Sequence, residues 1–99
     1  MAIDAIVLNA ADNVATAVQD LGVGQKAVVR LERELSAVVL HESIPYGHKF
    51  SLRPIGRGEK IIKYGEIIGQ ATADIGIGCH AHVQNIESLR GRGDLEKEA

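Results

Sequence analysis

A chain of 99 residues with 11 basic and 13 acidic side chains and a formal charge of -2 has room for one domain and one modest core. The near-even charge leaves no electrostatic footprint for nucleic acid or an anionic membrane, and one Phe, two Tyr and no Trp exclude a base-stacking platform. The single cysteine, Cys79, excludes an internal disulfide framework and suits a reducing compartment, so the cytoplasm is the expected location.

Met1-Ala2-Ile3-Asp4 has no basic region and no long apolar run, which predicts neither a signal peptide nor a membrane span. Ile3 to Leu8 alternates loosely and reads as a first strand. Asp12 is placed to cap a short helix near residues 13–21, closed by Gly22, with Val14, Ala17, Val18 and Leu21 on one face. Lys26 to Leu31 and Ser36 to Leu40 flank Glu32-Arg33-Glu34 and predict a hairpin with its charges at the exposed turn.

Pro45 cannot donate to a ladder and Gly47 frees the backbone just before His48. Short strand-like runs follow at His48 to Leu52, Lys60 to Tyr64, Ile67 to Thr72 and His80 to Ile86, each punctuated by Gly or Pro. Residues 1–89 therefore read as one mainly β domain. Residues 90–99, polar and glycine-bearing, read as a flexible tail. Few large side chains make a thin core, and such a chain leans on a partner or on copies of itself for burial.

The unit aliphatic-Gly-x-Gly-x-x occurs as Leu21-Gly22-Val23-Gly24-Gln25-Lys26, Ile55-Gly56-Arg57-Gly58-Glu59-Lys60 and Ile75-Gly76-Ile77-Gly78-Cys79-His80. Each copy predicts an anchored glycine turn with a strand leaving it. Where the first two copies continue to Val28 and Ile62, the third continues to His82, so an imidazole replaces an aliphatic side chain.

In an extended strand His80 and His82 share one face while Ala81 and Val83 fill the other. Two imidazoles together can act as metal ligands, as an acid/base pair or as a binding face; on spacing alone a half-exposed strand with a polar outer side is the favoured account. His48 adds a third imidazole and Lys49 a cation. His41 has no partner in the sequence, and Cys79 beside His80 reads as packing, since strand neighbours point apart. None of the glycine turns matches a phosphate-binding loop.

The blocks Gly47-His48-Lys49-Phe50-Ser51-Leu52, Ile55-Gly56-Arg57-Gly58-Glu59, Ile62-Lys63-Tyr64-Gly65-Glu66-Ile67-Ile68-Gly69 and His80-x-His82-x-x-Asn85, in that order, resemble the N-terminal domain of the altronate and galactarate dehydratase family. The resemblance implies a β-clip fold of the SAF type. It further implies the small subunit, or N-terminal domain, of a lyase that eliminates water from a sugar acid such as altronate or galactarate. Sulfite elimination from sulfolactate, or a binding module without catalysis, is the alternative. It also implies iron or manganese, with a site completed by a large catalytic subunit. On that reading His48, His80 and His82 are the expected catalytic residues, with His80 and His82 as metal ligands. Lys49, Arg53, Lys63 and Asn85 are the expected contacts to an acidic substrate, because elimination needs a base for the α-proton, an acid or metal for the leaving oxygen, and cations for the carboxylate.

Overall fold

The computed structural model describes residues 3–89, and the tail expected at 90–99 lies outside the described residues. Nine strands follow in chain order: β1 (Ala5–Val7), β2 (Val14–Ala17), β3 (Lys26–Leu31), β4 (Glu34–Val39), β5 (Lys49–Ser51), β6 (Lys60–Lys63), β7 (Glu66–Ala71), β8 (His80–Ala81) and β9 (Ile86–Ser88). One sheet runs β4-β3-β1-β2-β5-β8 and the other β6-β7-β9. All pairs are antiparallel except β1 with β3. Small mixed sheets joined by turns agree with the expected β-clip architecture. No helix among the described residues is long and apolar enough to cross a membrane.

The helix expected near residues 13–21 is not formed; the segment is β2 and the turn after it. Val14, Ala15 and Ala17 are all buried, because one face of β2 carries Val14 into one core and the other carries Ala15 and Ala17 into the second. A strand covered on both faces reads as a continuous apolar run, and in so short a run of small residues it satisfies helical spacing as well. Asp12, the expected cap, serves another element: its carboxylate accepts the N–H groups of Tyr64 (3.0 Å) and Gly65 (2.8 Å). These two residues have φ of 58° and 73°, the left-handed pair of a type I′ hairpin turn between β6 and β7. Its neighbour Asn13 reaches the same hairpin, donating to Lys60 O and accepting from Ile62 N.

Two buried side chains at the start of β2 thus tie the two sheets together. Asp12→Ala removes a charged acceptor from two N–H groups and is expected to cost about 2 kcal/mol. Asp20→Ala, which loses one exposed bond to Tyr46 N, is expected to cost well under that. Urea midpoints for the two variants check the ranking.

The glycine unit occurs four times, not three. Ile44-Pro45-Tyr46-Gly47-His48-Lys49 adopts the same turn with Pro in place of the first Gly. In every copy the residue after the second Gly donates its N–H three residues back: Gln25 to Gly22, His48 to Pro45, Glu59 to Gly56 and Cys79 to Gly76, at 2.9–3.1 Å. The second Gly has φ of 82°, 83°, 91° and 77° in turn, the left-handed third position of a type II turn. The aliphatic anchors pair two by two, Leu21 with Ile44 and Ile55 with Ile75, through reciprocal backbone hydrogen bonds. Asp20 and Asp74 each accept an N–H across their pair, from Tyr46 and Arg57 at 2.8 Å. All four anchors are buried, and Ile44 and Phe50 belong to one core while Ile55 and Ile75 belong to the other.

Candidate functional site

Turn two releases His48 into β5 and turn four releases His80 into β8. These strands pair with Phe50 opposite His80 and Lys49 opposite Ala81. The ladder therefore carries residues 32 apart in sequence to one sheet edge. His48 Nδ1 lies 2.9 Å from His80 Nε2, and the His48 ring stacks on His82 with centroids 3.9 Å apart and planes inclined by 22°. The His80 ring lies 5.1 Å from His48 and 5.5 Å from His82.

Strand alternation does not bring His82 to this cluster. β8 ends at Ala81, and the chain turns back at once, with Asn85 N donating to His82 O. Ala81 is fully buried, yet Val83, expected beside it on the same face, is 82% exposed. Asn85 holds the turn: its Oδ1 accepts His82 N at 2.9 Å and its Nδ2 donates to His80 O at 2.8 Å. A side chain expected to meet substrate spends its amide on the loop that presents two histidines.

The four turns explain how His48 is aimed. In turns one and three the residue after the second Gly folds back on the first Gly: Gln25 Oε1 accepts Gly22 N, and Glu59 Oε1 accepts Gly56 N. Turn two has Pro45 at that place, which has no N–H to offer. His48 has no such bond to make, and its ring points to His80 instead.

Gln84 Nε2 lies 3.0 Å from His80 Nδ1 and 3.4 Å from His80 O. An amide nitrogen donates, so His80 Nδ1 accepts, and neutral His80 keeps its proton on Nε2, facing His48 Nδ1. Both nitrogens of His80 are then engaged. Glu42 Oε1 accepts the His80 backbone N–H at 2.8 Å and brings a carboxylate beside the ring. Gln84 and Glu42 are absent from the sequence-based candidates. Glu42 lies 38 residues from His80 and carries no local signal, whereas accepting Pro for the first Gly of the repeated unit would have aligned His48-Lys49 with Cys79-His80.

His82 Nδ1 is buried with no hydrogen-bond partner among the described residues. Burial holds the pKa of His82 below the usual imidazole value, with His48, Lys49 and His80 adding to the shift. Burial likewise lowers His80, followed by His48 and Lys49, with Glu42 opposing. Lys49 is lowered by burial and then by Lys63. The folded chain therefore favours neutral His80 and His82, and the unfolded chain binds more protons below the ordinary value of 6.5. Stability is expected to be intact above pH 6.5 and to fall as pH drops through that value toward the lowered folded ones. Thermal unfolding between about pH 5 and 7.5 checks this: the acid-side loss is expected to shrink in His82→Gln.

Lys49 lines a cleft of about 220 Å³ with Ile68, His82, Val83, Ile86 and Ser88. Lys63 is close enough to influence Lys49, and its Nζ sits 4.9 Å from the Tyr64 ring. Arg53 instead donates to the Asp12 carbonyl at 3.3 Å. Of the expected cations, Lys49 is thus the one in the cleft with His82. His41 is exposed, its N–H donating to Gly78 O, and Cys79 is half-buried at the exit of turn four.

Three imidazoles match the protein ligand set of many open metal sites, and their candidate ligand nitrogens lie within 4.8 Å of one another. The orphaned His82 Nδ1 is the buried atom such an ion would satisfy. The donor set fits a borderline divalent cation, although in-plane lone pairs of near-parallel rings need a turn about χ2 to converge.

The model of the family described as "Altronate/galactarate dehydratase SAF domain" matches residues 3–89. Altronate dehydratase of Escherichia coli is 42% identical over 80 residues, covering 81% of this chain and 15% of that protein. Altronate dehydratase of Bacillus subtilis is 38% identical over 77 residues, covering 78% of this chain and again 15% of the relative. The (2R)-sulfolactate sulfo-lyase subunit alpha of Chromohalobacter salexigens is 35% identical over 94 residues, which cover 91% of this chain and 99% of the subunit. The chain thus spans about 15% of the altronate dehydratases and nearly all of the alpha subunit.

Proposed function

We propose, because the chain belongs to the family of altronate/galactarate dehydratase SAF domains, that it is the small component of a cytoplasmic lyase that eliminates water from a sugar acid. The observation that carries this reading is the stack of His48, His80 and His82 beside Lys49 at one sheet edge. The remaining walls come from a large catalytic polypeptide.

Eliminating a β-hydroxyl from a carboxylic acid takes a proton from the α-carbon and gives one to the leaving oxygen. His82, held neutral by burial, is suited to accept the α-proton. The leaving oxygen needs that same proton, and the hydrogen-bonded pair His48 and His80, with His48 stacked on His82, is suited to pass it on, with Gln84 fixing the direction of the bond between them. Lys49 binds the carboxylate and Lys63 adds positive potential behind it.

In the metal-loaded form His48, His80 and His82 would serve as ligands and not as proton carriers, and a divalent ion there would supply Lewis-acid assistance to the leaving oxygen. An all-imidazole donor set suits iron better than manganese, which prefers oxygen ligands. Sulfite elimination is the second reading, favoured by the 99% coverage of the sulfolactate sulfo-lyase alpha subunit. The test is turnover of altronate, galactarate and sulfolactate by the chain assembled with a large subunit, before and after each histidine is replaced. A binding module without catalysis would show no histidine dependence.

A further inference from the structure

Apart from Lys49 and His82, which face the substrate, and Ser88, the cleft offers a sugar acid nothing polar to meet. Ile68, Val83 and Ile86 line it, and Val83 stands 82% exposed at the tip of the loop between His82 and Gln84. A sugar acid carries a hydroxyl on nearly every carbon, and each one laid on an aliphatic wall would be buried without a partner. An apolar side chain loses nothing there.

We infer that this cleft is a docking socket for the large catalytic polypeptide of the same enzyme, which covers Val83 and seats an aliphatic or aromatic side chain against Ile68 and Ile86. The inference rests on the composite-site reading above and says which surface forms the seam. The altronate dehydratases argue for this occupant over a second copy of the chain: the matched stretch is 15% of each, so 85% (100 minus 15) of the polypeptide lies beyond it. Position argues the same way, because the cleft shares Lys49 and His82 with the histidine stack, and whatever fills it becomes a wall of the site. Covering Val83 would also exclude water from His82, whose Nδ1 is already cut off from solvent. Buried aromatic or aliphatic anchors in such central sockets carry much of an interface's affinity.

The experiment measures the dissociation constant between the full chain and the large dehydratase subunit encoded in the same genome. Val83→Arg is compared with Leu35→Arg, a control on β4 at a residue 53% exposed. Both sites are open enough to take arginine without unfolding, and thermal unfolding confirms it. Val83→Arg is expected to weaken binding by about 100-fold or more, and Leu35→Arg by less than about threefold. Equal binding by Val83→Arg and the wild type would overturn the socket, whatever the histidine variants do. So would a chain that pairs only with itself and ignores the large subunit. If Val83→Arg loses the complex while His48→Ala and His82→Ala turn over normally, the socket stands and the catalytic reading falls.

Discussion

His48→Ala is expected to lower turnover of the assembled enzyme by about 10²–10⁴-fold, the usual worth of a positioned acid or base. The ring touches both of the others, hydrogen-bonded to His80 and stacked on His82, so its removal breaks the proton path and uncovers His82 in one step. Folding has a smaller stake in it: the ring is half-buried, and losing its two ring contacts costs about 2 kcal/mol. Activity and stability should therefore separate. His80→Gln keeps a side chain able to hydrogen-bond but cannot shuttle a proton, and it is expected to fall in the same range. Full turnover by His48→Ala in a complex of normal affinity would end the acid/base assignment. A loss matched by unfolding would reduce the histidine stack to packing. Steady-state rates with thermal unfolding on the same preparations decide between them.

Gly78→Ala is expected to be far more damaging than the same change at Gly58, although the two glycines hold the same place in their turns. Both have positive φ, 77° and 91°, and for an L residue the left-handed region costs about 1–2 kcal/mol. At Gly58 nothing lies within 4 Å of an added Cβ, so that cost is the whole effect. At Gly78 the new Cβ would meet the backbone oxygen of Val39 at 2.2 Å, and His41 Cδ2 at 3.3 Å. A backbone atom cannot swing aside as the end of a side chain can. Turn four would have to lift off the end of β4, breaking His41 N to Gly78 O and Gly78 N to Ser51 O. The expected total is about 4 kcal/mol or more, the range reserved for a named structural failure. For a domain of this size each kcal/mol moves the midpoint by about 4–8 °C, so the two variants should differ widely in thermal unfolding. Equal midpoints would show that turn four is not pinned to β4. Because the turn delivers Cys79 and His80, a surviving Gly78→Ala protein should also lose turnover.

The strands were legible wherever one local cause sufficed. The Lys26 to Val39 hairpin, the strand runs between His48 and Thr72 and the glycine turns each answer to alternation or to a backbone angle that glycine adopts freely, whereas the strand expected over His80 to Ile86 stops at Ala81 and turns. Residues 13–21 failed for the opposite reason: a strand buried on both faces has no exposed side to set its period, and only its place between β1 and β5 made it a strand. Asp12 carried the same ambiguity, since a short acid before an apolar run caps a helix or holds a distant hairpin equally well.

For the site, the sequence by itself determined which residue types are available, three imidazoles and a lysine next to glycine turns, and a family likeness that the match over residues 3–89 bears out. Tertiary structure alone decided that they meet. The β5 to β8 ladder, with Phe50 opposite His80, is a contact between segments some thirty residues apart, and no local rule encodes it. It also decided that Asn85 serves the loop, that Arg53 turns to Asp12, and that Glu42 and Gln84 attend His80. Each of these depends on which hydrogen-bond partner the folded backbone brings within reach, and side-chain chemistry alone leaves that choice open.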